Sequence, residues 1–232
     1  MIDPRSLRGL TPPDAERLQR ALAQQVRRTD DLPPVRRVAG VDVAYADDGD
    51  LAIAAVAVLD AATLAPVEVT VAEERTSFPY IPNLFSFREL PPVLAALAKL
   101  QTPPDLIICD GQGIAHPRRF GLACHLGVLA DVPTIGCAKS RLLGAHDEPA
   151  PARGARAPLT DGNEVVGAVL RTQDGVRPLY VSIGHRVGLD TACDWVLRLS
   201  SRFRLPETTR VADHAVRMAL GARAPAAGGA PR

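Results

Sequence analysis

Hydrophobic and polar positions alternate along three consecutive segments in the first third of the chain. Residues 35–45 and 51–59 are rich in apolar and β-branched side chains and flank an acidic turn that contains Gly49. Residues 66–75 follow, where Val67, Val69 and Val71 alternate with polar residues. A period of two is typical of β-strands, and an Asp-Gly turn between two such runs favours a hairpin. The pattern predicts a three-stranded antiparallel meander at one edge of a sheet.

The rest of the chain alternates helical periods with short apolar runs. Leu18, Leu22 and Val26 recur at helical spacing, and helices are also predicted over 87–100, 117–130, 189–201 and 206–220. The runs 105–110 and 133–138 are typical of strands buried on both faces, and 165–171 and 179–183 predict a second strand pair. Residues 144–160, rich in Ala, Pro and Arg, predict a surface loop. This order predicts an α/β fold whose mixed sheet, an antiparallel meander plus parallel strands, is flanked by helices.

Length and charge limit the possible domain organisation and the surfaces that could bind a polyanion. The 232 residues fit one folded domain over 1–222, and the Ala-, Gly- and Pro-rich residues 223–232 predict a disordered tail. The formal net charge is only +1, so any surface for a polyanion must come from local clusters of cations. Such clusters occur at residues 36–37, 118–119 and 139–141, and each is equally compatible with a solvated surface.

Cysteine usage and hydropathy indicate the compartment. No two of the four cysteines are spaced as in a zinc site, so we expect buried free thiols in a reducing cytoplasm. The first residues have no apolar stretch, which predicts that there is no signal peptide. No segment is apolar enough to predict a membrane span. We expect a monomer.

Three carboxylates stand in unusual places. Asp42 lies within a strand between Val41 and Val43, Asp110 ends an apolar strand before a glycine turn, and Glu89 lies near the start of a helix. Ligand sites in open α/β sheets lie at the carboxyl ends of strands, and three converging carboxylates suit Mg²⁺ or Mn²⁺. The alternatives are a buried ion pair for Asp42, a turn cap for Asp110 and a helix surface for Glu89. Asp213 and His214 could add a fourth ligand or lie on a helix surface.

The segment DGQGIAHPRRFG is rich in glycine but is neither a phosphate loop nor a dinucleotide fingerprint. Its Gly111, Gly113 and Gly121 would let the backbone approach the edge of a base, with His116 between them. The alternative is a strand-to-helix turn capped by the histidine.

Two further segments carry candidate chemistry. Tyr80 lies in the stiff loop Pro79-Tyr80-Ile81-Pro82, where it could wedge into a base stack or pack beneath its own loop. Lys139, followed by Ser140, comes after a short strand and could meet a phosphate as a point charge.

Four segments together resemble the endonuclease V family. They are VAGVDVAY around Asp42, FPYIPNLFSFRE ending at Glu89, the long run from Asp105 to Leu142, and LPETTRVADH ending at His214. The similarity extends from about Leu18 to Met218. It implies a ribonuclease H-like fold.

The resemblance implies roles for individual residues. Asp42, Glu89 and Asp110 match the family's metal-binding acids, with His214 as the fourth group and Asp213 as its partner. Lys139 matches the residue near the scissile phosphate. The implied substrate-binding residues are those of the wedge loop and the base pocket: Pro79, Tyr80, Ile81, Pro82, Gly111, Gly113, His116, Gly121 and Ser140.

The resemblance also implies a reaction. The family uses Mg²⁺, with Mn²⁺ as a substitute, and cuts DNA containing deoxyinosine or other deaminated bases at the second phosphodiester bond 3′ to the lesion. Alternatives are a ribonuclease for inosine-containing RNA, a non-catalytic inosine-binding protein, and a thiol hydrolase using Cys124 or Cys109 with His116. The chain departs from the family at Asn83, where the wedge loop usually has glycine.

Overall fold

The fold consists of five helices and eight strands within the residues that the structure, a computed structural model, describes: Leu7, 9–46 and 49–223. The helices are α1 (Pro12–Ala23), α2 (Ser86–Leu97), α3 (Leu122–Ala130), α4 (Leu189–Leu199) and α5 (Glu207–Arg223). The strands are β1 (Arg37–Tyr45), β2 (Leu51–Asp60), β3 (Pro66–Arg75), β4 (Leu106–Cys109), β5 (Thr134–Ala138), β6 (Arg156–Asp161), β7 (Glu164–Leu170) and β8 (Leu179–His185).

All eight strands belong to one mixed sheet, in the order β3-β2-β1-β4-β5-β8-β7-β6. The first three strands are antiparallel, as the alternating pattern predicts, and they form one edge. β4 and β5 run parallel to β1, whereas β8, β7 and β6 pair antiparallel to their neighbours. The carboxyl ends of β1, β4 and β5 therefore lie side by side at one end of the sheet.

Helices cover both faces of the sheet because the central strands are apolar on both. Adjacent residues of β1 show this, since Val38 belongs to the core beneath α4 and α5, and Ala39 to the core beneath α2. Val196 of α4 packs in the first core and Phe87 of α2 in the second. No helix among the described residues has the length and apolar character needed to cross a membrane.

Three expectations from the sequence need correction. The helix predicted from Pro117 begins at Leu122, because the chain from 114 to 121 winds into turns in which Arg119 has a φ of 54°. The predicted loop 144–160 includes most of β6, an edge strand that buries Ala157 and Leu159 in alternation. α5 continues to Arg223, the first residue of the predicted tail, and the other residues of that tail, 224–232, lie outside the described part.

Candidate active site at the carboxyl end of the sheet

Asp42 and Asp110 are neighbours because two parallel strands carry them. Val41 of β1 is in register with Cys109 of β4, and each aspartate follows its paired residue. Asp42 is still within β1, whereas Asp110 lies directly after β4 ends. The topology therefore places two carboxylates side by side at the carboxyl end of the sheet.

Glu89 reaches the same place from a helix. It lies in the first turn of α2, which packs across β1, β2 and β3. Asp42, Glu89 and Asp110 together line a cavity of about 40 Å³, whose other walls are apolar. That volume exceeds the roughly 10–15 Å³ that one water requires. The three acids that the sequence singles out thus share one small, partly enclosed space.

The environment of Asp42 and Glu89 disfavours their charge. Burial, followed by the charges of Asp110 and Asp213, raises the pKa of Asp42 to about 6. Burial, followed by the charges of Asp42 and Asp110, raises the pKa of Glu89 to about 8. The surrounding groups therefore do not neutralise the negative charge of these carboxylates. A bound cation would stabilise that charge.

The donor set fits a hard divalent cation by its chemistry, since all three groups offer carboxylate oxygens. Within the described residues, however, no three His, Cys, Asp or Glu side chains are grouped closely enough to form a ready-made ion site. The carboxylate of Asp110 is instead paired with the ammonium of Lys139. Small side-chain rotations within the shared cavity would be needed for all three to bind one ion.

Lys139 lines a second, larger cavity and pairs with Asp110, which lines both. Burial opposes its charge, but the hydrogen bond to Asp110 and the charges of Asp110, Asp42 and Asp213 raise its pKa above the usual value. The neighbouring cavity has a volume of about 290 Å³. Its lining residues come from the ends of β4 and β5 and from the loop before α2: Phe85, Asp110, Gly111, Gln112, Ala138, Lys139, Ser140, Arg141 and Leu142.

Tyr80 projects from a stiff loop. It is 75% exposed, whereas Phe78 before it and Leu84 after it are buried. Ile81 packs against the core, so the tip of the loop is fixed to the body of the protein. A hydrogen bond from Leu84 N–H to the Ile81 carbonyl closes a turn, with Pro82 at its second position. The loop therefore presents an aromatic ring to solvent on a restrained backbone.

Asn83 occupies the third position of that turn with a φ of 66°. A type II turn requires a positive φ at this position, and asparagine tolerates it better than most residues. Three donors converge on the Asn83 carbonyl: Gln19 Nε2 at 3.1 Å, His116 Nε2 at 3.1 Å and an Arg118 guanidinium nitrogen at 3.0 Å. The asparagine thus preserves the turn, and its carbonyl is the point at which the loop is attached to α1 and to residues 116–118.

Comparison with known proteins agrees with this geometry. A family profile described as Endonuclease V matches residues 20–214. An endonuclease V of Nostoc sp. is 56% identical over 205 residues, which are 88% of this chain and 93% of the relative. The chain belongs to the endonuclease V family.

Solved structures of the family confirm the fold. The crystal structure of endonuclease V from Streptomyces avermitilis matches with a TM-score of 0.88 at 52% identity, covering 91% of this chain and 94% of that one. Endonuclease V of Ciona intestinalis, in complex with a 24mer DNA containing an inosine followed by a ribo-adenosine, matches with a TM-score of 0.79 at 30% identity, covering 89% and 96%. The predicted ribonuclease H-like fold is confirmed, and the chain is an endonuclease.

The glycines of this endonuclease serve the packing of its own chain. A Cβ on Gly113 would lie 1.9 Å from the Ile183 carbonyl oxygen, and a Cβ on Gly121 would lie 2.3 Å from the Gln112 carbonyl oxygen. Gly111 lines the larger cavity, as does Ser140. Gly113 and Gly121 thus permit close backbone packing behind that cavity.

Asp213 and His214, the last two residues of the C-terminal segment that resembles the family, lie in different environments. Asp213 is partly buried, its charge raises the pKa of Asp42, and it pairs with Arg217 at 3.0 Å. His214 is exposed on α5. The structure brings Asp213 to the carboxylates, and a role for His214 as the fourth group stays a prediction.

Several residues around the site carry no sequence signal. Gln19 is only 1% exposed and bonds to the carbonyls of Asn83 and Phe120. In the sequence it is one polar residue on an amphipathic helix. Phe85 and Gln112 line the larger cavity, although only the fold places them there.

A thiol mechanism has no support in this endonuclease. All four cysteines are free and buried, as the sequence predicts. Burial raises the pKa of the Cys124 thiol to about 12 and that of Cys109 still further. Nucleophilic cysteines need a lowered pKa and solvent access. Both thiols are therefore structural.

Proposed function

We propose that this endonuclease recognises deaminated bases, chiefly deoxyinosine in DNA, and initiates their repair. It cuts the second phosphodiester bond on the 3′ side of the lesion, uses Mg²⁺, and leaves 3′-hydroxyl and 5′-phosphate ends. The observation that carries the proposal is the shared cavity of Asp42, Glu89 and Asp110 beside Lys139. It is supported by the inosine-containing DNA bound to the relative from Ciona intestinalis.

In the proposed mechanism, Asp42, Glu89 and Asp110 would hold the ion, and His214 or Asp213 would complete the site. When bound, the ion supplies an activated water and stabilises charge on the leaving oxygen, and Mn²⁺ can replace Mg²⁺. Lys139, which now neutralises Asp110, offers its positive charge to the phosphate that is cut. Its place in the larger cavity, beside the Asp110 that lines both cavities, supports this role.

Base recognition is assigned to the larger cavity and the Tyr80 loop. Tyr80 enters the base stack and fills the gap left by the extruded base, while Pro79, Ile81 and Pro82 keep its loop rigid. The base enters the cavity beside Gly111 and Ser140. Gly113, His116 and Gly121 support this cavity through the packing of the chain behind it. Unpairing costs least for a mismatched base, so weak pairing contributes to selectivity.

The test is cleavage of 5′-labelled strands that carry one deoxyinosine or one adenosine, in Mg²⁺ and in EDTA. We expect a nick only two bonds 3′ to inosine and only with Mg²⁺. Asp42→Ala and Asp110→Ala should lower the rate by roughly a thousandfold or more, because the ion supplies several kcal/mol of stabilisation. The control is Asp190→Ala, whose carboxylate is 88% exposed and paired with Arg156.

Retention of the wild-type rate in either site variant would refute the metal assignment. Cutting that ignores inosine would refute the substrate assignment. Binding of the inosine strand without any metal-dependent cleavage would favour the non-catalytic reader.

A second candidate function is cleavage of inosine-containing RNA. It is favoured by one observation, the ribo-adenosine that follows inosine in the DNA bound to the Ciona intestinalis enzyme. The same assay with a single ribose after the inosine, and with an all-RNA strand, distinguishes the substrates. Faster cutting of the ribose-containing strands would assign this endonuclease to RNA.

A further inference from the structure

One of the cationic clusters that the sequence contains lies beside the candidate active site. Of the three clusters in the sequence, Arg118 and Arg119 are engaged internally, since Arg119 pairs with Asp161 and Glu164 and Arg118 bonds to Asn83. Residues 36–37 lie at the opposite end of β1. The cluster at residues 139–141 is exposed and lines the larger cavity.

Arg204 connects this cluster to the loop between α4 and α5. Its guanidinium donates hydrogen bonds to the carbonyls of Arg177 at 2.8 Å, Pro178 at 2.9 Å and Lys139 at 3.2 Å. Arg177, whose carbonyl accepts one of these bonds, and Arg202, two residues before Arg204, are both exposed. Arg204 thus links the segments that carry the exposed cations at residues 139–141, 177 and 202 into one surface region, in a chain whose formal net charge is only +1.

Phe203 lies on this surface with 46% of the residue exposed. The guanidinium carbon of Arg210 stacks over its ring, 3.5 Å from the centroid, and Arg210 is held in turn by Glu207 at 2.7 Å. Arg210 precedes Asp213 by three residues on α5, so the two share a helix face. The charge of Asp213 reaches Asp42. The exposed ring is thus backed by a restrained cation that lies one helical turn before Asp213.

An exposed aromatic ring among arginines is the arrangement that binds single-stranded nucleic acid without regard to sequence. The cations contact phosphates, and any base can stack on the ring. We propose that Lys139, Arg141, Arg177, Arg202 and Phe203 form a track for the strand that flanks the cut, with an unpaired base stacked on Phe203. The track rests on the proposed function only in that the substrate is a nucleic acid strand.

The experiment measures binding of a fluorescein-labelled, inosine-free 12-nucleotide strand in EDTA, as a function of salt. Phe203→Leu removes the ring and keeps an apolar side chain, whereas Phe203→Tyr keeps the ring. Arg202→Ala removes an exposed cation. Arg36→Ala is the matched control, since Arg36 is exposed but lies at the far end of the sheet. Thermal melting confirms that each variant is folded.

We expect Phe203→Leu to weaken binding by roughly five- to a hundredfold, the range measured for loss of base stacking, and Phe203→Tyr to bind like the wild type. Arg202→Ala should reduce the slope of log affinity against log salt by about 0.7. Arg36→Ala should change neither quantity. Wild-type affinity in Phe203→Leu, or equal losses in Phe203→Leu and Phe203→Tyr, would overturn the stacking site. Because neither inosine nor metal is present, the result does not depend on cleavage.

Discussion

At the residue scale, Glu89 shows how burial and like charges act on one carboxylate. Its raised pKa has burial as the largest cause, followed by Asp42 and Asp110. A group whose ionisation is unfavourable in the folded state destabilises that state at neutral pH. The same concentration of charge that suits a cation therefore lowers the free energy of unfolding when no cation is bound.

Glu89→Gln should for this reason stabilise the protein in EDTA. Removing a group that ionises more readily in the unfolded chain should raise the free energy of unfolding by roughly 1 kcal/mol and Tm by about 2–4 °C for a chain of this size. The same variant should lose the further increase in Tm that Mg²⁺ gives the wild type. Glu148→Gln is the control, because Glu148 faces the cation Arg171 and its loss should not raise Tm. A Tm at or below that of the wild type in EDTA would contradict the argument.

His116 makes a different electrostatic contribution. Burial lowers its pKa to about 4, and the backbone N–H of Arg118 donates to Nδ1, so Nε2 carries the proton that bonds to Asn83. The folded pKa lies below the unfolded value of about 6.5. Stability is therefore fully present above about pH 6.5 and is lost as pH falls from there toward 4.

His116→Gln keeps a donor for the Asn83 carbonyl without a titrating ring. Between pH 6.5 and 5 the wild type should lose about 1–2 kcal/mol more of its free energy of unfolding than this variant. Urea unfolding at the two pH values measures the difference. Equal losses in both proteins would show that His116 is not the group responsible.

The residue types in the sequence identified the acids of the site, but they did not identify the hydrogen-bond network around Gln19. Asp42 was recognisable because a carboxylate inside an apolar strand is costly without a partner. Gln19 was not, because a glutamine on an amphipathic helix is ordinarily exposed. Only the approach of α1 to residues 83 and 118, distant in sequence, buries it.

At the scale of elements, strands with clear patterns were predicted and those shaped by distant contacts were not. The meander β1–β3 follows from alternation alone, and its order in the sheet is as predicted. β6 was not predicted because its composition is that of a loop, and only its pairing with β7 makes it a strand. The start of α3 was placed too early, because hydrogen bonds of His116 hold the preceding segment outside the helix.

The attachment of the Tyr80 loop to α1 gives a prediction at this scale. Gln19→Leu removes two donors from the carbonyls of Asn83 and Phe120 and an acceptor from Arg118. Stability should fall by about 1–3 kcal/mol, because buried partners lose their hydrogen bonds. A looser loop should also raise KM more than it lowers kcat. When 2-aminopurine is placed beside inosine in the DNA, the change in its fluorescence on binding in EDTA should be smaller than with the wild type.

Gln25→Leu is the matched control, since Gln25 is exposed just beyond the end of α1. It should leave both the fluorescence change and KM at wild-type values. A Gln19→Leu protein that is less stable yet gives the full 2-aminopurine signal would limit Gln19 to a structural role.

At the scale of the whole molecule, the site depends on the contact between β1 and α5. A Cβ on Gly40 of β1 would lie 2.3 Å from the backbone carbon and oxygen of Thr208. Only glycine lets the first turn of α5 approach this closely. That approach fixes the helix which brings Asp213 to the carboxylates.

Gly40→Ala should displace α5 and affect stability and catalysis together. Overpacking should cost about 1–3 kcal/mol, and cutting of the inosine strand should fall more than tenfold as Asp213 and His214 move away. Gly221→Ala is the control, because nothing lies within 4 Å of its added Cβ. Melting temperature and cleavage rate measure the two effects. A lowered Tm with an unchanged cleavage rate would show that the packing of α5 does not affect catalysis.

The contact between Gly40 and Thr208 forms late in synthesis, because the two residues lie far apart in the chain. Translation delivers β1, α2 and β4, and with them Asp42, Glu89 and Asp110, well before α5 leaves the ribosome. Until then the face of β1 that α5 covers is open, and Asp213 and His214 do not yet exist in the chain. A prematurely terminated product thus carries the three acids of the sheet and α2 but lacks the helix that packs on β1.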